Sequence, residues 1–506
     1  MPVLLRPAML PSRAQGEAAM AGFTRIFVAA LELALLPAAA SAAVEISAKP
    51  TQNMSCSGGI CTPTAKKAIL NVIDLANMLS SGDVKISSGS LAQDIDVDAK
   101  LSWVTNSRLT LDAYRSIAFN RPIDIAGKGA LTISTNDGGS GGDFRFFKGG
   151  RVKFWDIASN LLINNQHYTL VKSIKQLGSN IRKDDDGFYA LAGSVDLSGQ
   201  VYSASPVHND FSGVFEGLGN TISNLNIHNN DVHPIGLFTQ VDSFALIRDV
   251  GLISVSIDAG DAQSAGALVG FLSGGPIIRS SYATGQIFGG TSPFVGGLVG
   301  YSDLSAIEDS YAAVAISEDN GAKAVGGLVG YIRGGCSPCL GTIVQSYATG
   351  AVAAGSGTFV GGLVGENSGA VILASYATGP VSGGSNAFIG GLVGDNSNSE
   401  ENGVVHIENS YSTGAVSGGS KAKLGGLVGK DLAHSRIKDS YWDLNTSGIS
   451  DPSQGAGNIT DDPGITGLTT EQFLAGLPKG FKNSIWSEKS TLNGGFPYLI
   501  DNPPPK

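Results

Sequence analysis

The sequence predicts an all-β chain, a parallel β-helix (β-solenoid) with short capping helices at its ends. Three observations predict it: a phrase recited six times, the glycine and β-branched content of that phrase, and length variation confined to one corner of the repeat. The phrase first reads Ala265-Gly266-Ala267-Leu268-Val269-Gly270 and returns as Gly-Gly-Leu-Val-Gly ending at Gly300, Gly330, Gly365, Gly394 and Gly429. A Ser-Tyr pair follows each copy, giving Tyr282, Tyr311, Tyr347, Tyr376, Tyr411 and Tyr441. Four residues before each tyrosine stands an isoleucine: Ile278, Ile307, Ile343, Ile372, Ile407 and Ile437.

The spacing selects the architecture. From each tyrosine to the next final glycine the counts are 18, 19, 18, 18 and 18, whereas from final glycine to tyrosine they are 12, 11, 17, 11, 17 and 12. A solenoid gathers its variable loops on one side in this way. Several glycines per unit, each costing ~1 kcal/mol in a helix, exclude helical repeats. Units of about 30 residues are too short for propeller blades of about 40 and fit one β-helix turn. Equivalent positions on successive turns then lie about 4.8 Å apart, so the isoleucines should form an internal ladder. The tyrosines are either an exposed column that stacks on sugar rings or a packing ladder, and their identity at every turn suits packing. The Gly-Gly pair marks a corner where a side chain cannot fit or φ is positive.

Composition agrees. Glycine is 70 of 506 residues and charged residues are 15%, while the 42% hydrophobic content excludes a disordered chain. The net charge of −10 comes without any lysine or arginine cluster, so nucleic acid is excluded as a partner. Four cysteines fall as local pairs, Cys56 with Cys61 and Cys336 with Cys339, which suits loop disulfides in an oxidising compartment. A redox or metal role for the second pair is the alternative, but no further ligands stand near it.

Residues 1–42 read as a signal peptide, with Met20 a possible start. Arg25 precedes the apolar run Ile26 to Leu36, which Glu32 interrupts, and Ala40-Ser41-Ala42 offers a cleavage site. An uncleaved anchor is the alternative, though the run is shorter than the roughly 20 residues a spanning helix needs. No other apolar stretch of spanning length follows. Residues 43–82 should form an N-terminal cap holding the Cys56/Cys61 loop and a helix over Ala65 to Leu79, with Leu70, Ile73 and Leu79 apolar. Irregular coils should occupy 83–204, with a short helix around Ser173 to Leu177. The repeat solenoid follows over 205–445, and a tail over 446–506 should plug the last turn. In that tail Thr469-Thr470-Glu471-Gln472 has capping-box form.

The repeated phrase resembles the GLUG motif, from the leader Phe211 to Ile222 and the first Gly236-Leu237-Phe238 through Tyr441. The resemblance implies a secreted bacterial adhesin of the filamentous haemagglutinin type, or an accessory region of an immunoglobulin-cleaving metallopeptidase. The Asn-Pro-Asn-Gly secretion signature of the haemagglutinin family is absent; Asn120-Arg121-Pro122 is no substitute.

Enzyme signatures are missing. His167, His208, His228, His233, His406 and His434 form no His-Glu-x-x-His, and neither a Gly-x-Ser-x-Gly elbow nor a phosphate-binding loop occurs. Gly138 to Asp143 imitates a calcium nonapeptide, but Arg145 stands where a buried apolar residue belongs, and Asp184-Asp185-Asp186 reads as a solvated turn. The expectation is an exported adhesin-like scaffold without catalysis, cofactor or metal, whose partners are surface glycans or cell-surface proteins of a host. The alternatives are a carbohydrate-active β-helix enzyme and a purely structural surface protein. Two corners are expanded, one carrying Cys336 and Cys339 and the other Asn396, Asn398, Glu400 and Glu401; these are candidate binding loops or tolerated insertions.

Overall fold

A computed structural model describes residues 42–505, apart from 148, 320, 336–340, 398–404 and 433–435. The chain is a parallel β-helix. One sheet of 16 strands runs from Met54–Ser57 to Arg436–Lys438 and carries the isoleucines; a sheet of 14 strands carries the tyrosines. Sheets of seven and six strands complete each turn of the array, the seven-stranded one from Phe238–Asp242 to Val428–Asp431 and the six-stranded one from Ala265–Gly266 to Lys423–Gly425. A representative turn is Phe294–Gly296, Val299–Asp303, Ala306–Glu308 and Tyr311–Ser317.

The isoleucine column lies inside as expected. Ile278, Ile307, Ile343, Ile372 and Ile407 are fully buried and Ile437 nearly so, in register from strand to strand. The Gly-Gly corner is steric in origin. A Cβ on Gly297 would stand 2.1 Å from the carbonyl oxygen of Gly327 on the next turn, and one on Gly327 2.0 Å from that of Gly362. No side chain fits there.

The corner between isoleucine and tyrosine strands works by a different device. Ser280, Asp309, Gln345, Ala374, Asn409 and Asp439 all adopt φ between 43° and 52°, a left-handed turn that interrupts the sheet ladder. The serine of each Ser-Tyr pair restores the lost bonds. Ser281, Ser310, Ser346, Ser375 and Ser410 each donate a backbone N–H to the serine Oγ of the following turn at 3.1–3.3 Å. Every one of those hydroxyls, from Ser281 to Ser440, donates in turn to the carbonyl two residues back at 2.8–3.0 Å. Those carbonyls also accept a backbone N–H from the preceding turn, so an alanine at Ser310, Ser346, Ser375, Ser410 or Ser440 would chiefly leave the buried N–H of the preceding turn's serine unpaired.

Three expectations need correction. The N-terminal helix spans Val72–Ser81, not Ala65 to Leu79. Ala68 and Leu70 alternate at the two-residue period of a strand, Lys67–Asn71, which pairs with Ala43–Ser47. Asn71 caps the helix by accepting from the N–H groups of Ile73 and Asp74; Leu75 and Leu79 face the core, and Ile73 is exposed. The tail over 446–506, expected to plug the last turn, does more. Ile465–Leu468 does pair with Ser440–Asp443 and closes that edge, but the chain then doubles back along the tyrosine face. Asn396 is not on a projecting loop. It is fully buried inside the strand Val393–Ser397, accepting from Asn367 Nδ2 at 2.9 Å and donating to Asp431 Oδ1 at 2.6 Å in an internal ladder. An amide offers donor and acceptor at once, so it can propagate such a ladder. Asn398, Glu400 and Glu401 lie outside the described residues, as do Cys336 and Cys339.

Other local expectations agree with the structure. Cys56 and Cys61 are disulfide-bonded across the hairpin Met54–Ser57/Ile60–Pro63. Ser173 caps a helix over Ile174–Ile181, and Thr469 with Gln472 forms the capping box of Thr470–Leu474. Asp143, the acidic end of the nonapeptide-like run, is engaged by Arg248 at 3.0 Å and Arg279 at 3.4 Å.

Candidate binding face

The tyrosines form a stack. Rings of Tyr282, Tyr311, Tyr347, Tyr376 and Tyr411 follow one another at 4.7–5.1 Å with interplanar angles of 2–7°, a spacing set by the strands beneath. The returning tail covers the stack from Tyr311 onward. Phe473, Phe481, Trp486 and Leu499 pack with Tyr347, Tyr376, Tyr411 and Tyr441 in one buried cluster. Tyr411 Oη donates to the Pro497 carbonyl at 2.5 Å and accepts from Asn493 Nδ2 at 2.7 Å, and Tyr441 Oη donates to the Lys479 carbonyl at 2.8 Å. Farther along, Asn502 Nδ2 donates to the carbonyls of Ser310 and Gln345. Of the two readings the sequence left open, the structure supports the packing ladder.

A second aromatic column rises on the seven-stranded sheet, at the residue that follows each final glycine. Here Phe271, Tyr301, Tyr331, Glu366, Asp395 and Lys430 stand in register. Beside them, at the strand that enters each Gly-Gly corner, run Phe294, Ala324, Phe359, Phe388 and Lys423. Because the neighbouring residues of each strand point inward, these side chains point out. Tyr301 stacks on Tyr331 at 4.7 Å, and Phe294 meets both rings edge-on or tilted at 5.2 and 5.1 Å. Phe359 and Phe388 form a second pair at 5.7 Å.

Each ring cluster carries an ion pair. Lys323 Nζ lies 5.3 Å over Tyr331 and 2.9 Å from Glu366; Lys430 Nζ lies 5.3 Å over Phe359 and 3.1 Å from Asp395. Burial pushes both carboxyl groups above their ordinary values against the pull of the lysines. The Tyr301 hydroxyl, pushed up to about 12 by burial and by Tyr331, stays a neutral donor and acceptor. The part-exposed rings of Phe294 and Tyr301, or of Phe359 and Phe388, beside an ammonium group and a buried carboxylate can hold a ligand that is apolar on one surface and polar at its rim. The sequence reading missed these residues because they vary from turn to turn, although their position next to an invariant glycine would have found them. A separate shallow cavity of about 280 Å³ lies on the N-terminal coils, lined by Lys128, Trp155, Ile157 and Lys172, with Trp155 66% exposed.

No family model matches the chain. Over 140 residues, 25% of its length, it is 31% identical to Halomucin of Haloquadratum walsbyi, and the match spans 2% of that protein. Among solved structures it is similar to a "putative immunoglobulin A1 protease" from Bacteroides ovatus, at 18% identity and TM-score 0.41, covering 66% of this chain and 93% of the other. An "IgA1 Protease" is similar at 18% identity and TM-score 0.37, covering 56% of this chain and 23% of the other. These names correct one expectation. Both structures are called proteases, so the sequence reading that excluded catalysis is withdrawn. Among the described residues no helix is long and apolar enough to cross a membrane.

Proposed function

We propose that the chain is an exported, adhesin-like GLUG-repeat protein of the cell surface whose part-exposed second aromatic face binds glycans. The observation that carries this reading is the cluster Phe294, Tyr301 and Tyr331 with its Lys323–Glu366 pair. A pyranose ring has the matching form: its C–H face is apolar and packs on an aromatic ring, while its hydroxyl rim needs donors and acceptors. The Phe359–Phe388 pair with Lys430 and Asp395 supplies a second such station on the same face, so a polysaccharide could engage both and gain avidity. The signal-like N-terminus and the Cys56–Cys61 disulfide support export to an oxidising compartment.

The test is a glycan array with residues 43–506, followed by affinity measurement on the best ligand. Replacing Tyr301 and Tyr331 by alanine should weaken binding at least tenfold while the circular dichroism spectrum is kept. Binding unchanged in that double variant would move recognition elsewhere, with Trp155 the next surface to try.

A further inference from the structure

We infer that His208, Asp231 and His233 form a divalent transition-metal site on the turns that open the repeat array, a function independent of glycan binding. The sequence gives no hint of it, since the histidines stand 25 residues apart and match no ligand motif. The solenoid brings them together. Val207 bridges to Phe238 on the following turn, which sets His208 beside the loop that leads into that turn. One donor atom from each of the three side chains lies within 4.8 Å of the other two.

The distances fit an ion. A point equidistant from three atoms 4.8 Å apart is about 2.8 Å from each, and zinc bonds nitrogen and oxygen at about 2.0–2.2 Å. Each donor therefore has to move inward by less than about 1 Å, which half-exposed side chains do by small rotations. The His233 Nδ1 to Asp231 Oδ1 contact of 2.6 Å is the bond a metal would replace, displacing the shared proton.

The loop is held in place beforehand. Buried Asn229 donates to the carbonyls of Asp231 at 2.6 Å and Ala259 at 2.8 Å, and its Oδ1 accepts from the Asp231 N–H. Asp231 also accepts from the His233 backbone N–H, and Pro234 restricts His233 to extended backbone. On the other side His208 Nδ1 lies 3.4 Å from the Thr239 hydroxyl, and the two imidazole rings meet edge to face at 5.7 Å. Two imidazoles and one carboxylate form a donor set suited to zinc, nickel or copper rather than to calcium or magnesium. Three protein ligands leave a position open to water or to a donor group from a partner.

The experiment is calorimetric titration of the tag-free chain with Zn²⁺ after chelator treatment, with the visible spectrum of the Co²⁺ form as a coordination readout. One site per chain is expected, together with a Co²⁺ absorption band. His208→Ala and His233→Ala should each weaken binding at least tenfold and abolish the band, whereas His228→Ala, whose ring pairs with Asp258 at 2.9 Å, should leave both unchanged. These residues are exposed, so melting temperatures of the metal-free variants should match the parent. Absence of stoichiometric Zn²⁺ binding, or binding that survives both ligand substitutions, overturns the assignment.

Discussion

The tyrosine column and the column that follows Gly-Leu-Val-Gly rise through the same turns at the same spacing, yet they are composed differently. The first repeats one residue six times and is covered by the tail from Tyr311 onward; the second changes from phenylalanine to tyrosine to glutamate, aspartate and lysine, and is part-exposed at Phe271, Tyr301 and Lys430 but buried at Tyr331, Glu366 and Asp395. Where every turn must present the same surface to its neighbours and to one cover, a single residue type satisfies all of them. Where the surface faces solvent, nothing in the fold dictates the residue, and a changing series can serve recognition. Sameness within a repeat marks packing, and variation beside an invariant glycine marks the face that is free to specialise.

The most direct way to break this comparison is to remove one ring from each column. Tyr376→Ala opens a cavity among fully buried aromatic neighbours and should cost about 3–5 kcal/mol. Tyr301→Ala, half-exposed, should cost about 1 kcal/mol or less. Equal losses in chemical denaturation would mean that the two columns do not differ as described.

A second test uses protons where the tail ends. Arg145 reaches Asp309 at 3.2 Å and Asp501 of the tail at 3.4 Å. Burial raises the Asp309 carboxyl to about 6, opposed by Arg145, from an ordinary 3.8. The folded chain thus holds this proton more tightly than the unfolded one, so the contribution is complete below pH ~4 and is lost as pH rises through about 6. Alone it amounts to at most about 3 kcal/mol. Asp143, whose carboxyl is lowered even though its burial acts upward because Arg248 outweighs it, opposes this trend, while Glu216 and Asp249 are raised and add to it. The melting temperature should fall between pH 4.5 and 6.5, and Asp309→Asn should flatten the fall. A slope unaltered by that change would assign it to the other raised carboxyl groups, among them Glu216, Asp249, Glu366, Asp395 and Asp462.

The finest test distinguishes hydroxyls within the covered column. Tyr411→Phe removes the bonds to Pro497 and Asn493 and should cost about 1–2 kcal/mol. The Tyr376 hydroxyl is buried with no partner among the described residues, so Tyr376→Phe should be neutral or slightly stabilising. Reversal of that order in paired melting curves would show that the tail hydrogen-bonds the Tyr376 hydroxyl rather than that of Tyr411.

The sequence revealed what the repeat enforces. Ile372 was legible as core because the same residue recurs in register, and the Ser-Tyr pair as structural for the same reason. The left-handed corner was not, since Ser280, Asp309, Gln345, Ala374, Asn409 and Asp439 share a backbone conformation and no chemistry. Asn396 misled because a run of polar residues reads as a loop, whereas an amide with an amide above and a carboxylate below is satisfied in a core. The strand at Lys67–Asn71 was absorbed into a helix because apolar residues as dense as those of Ala65 to Leu79 fit either period. The candidate metal residues were invisible for a geometric reason: adjacency across turns depends on loop lengths that no local motif encodes.

The doubled-back tail also has a temporal meaning. Each turn of the array pairs with the one made just before it, so the solenoid can assemble progressively as the chain emerges. The tail's closing contacts are of another kind: Asn502 meets Ser310, 192 residues upstream. That contact cannot form until residue 502 has been made, so the tyrosine stack spends the whole interval since Ser310 uncovered. Covering the stack is then a single long-range closure, and a chain cut short before Thr469 would leave an assembled array with a sticky aromatic flank.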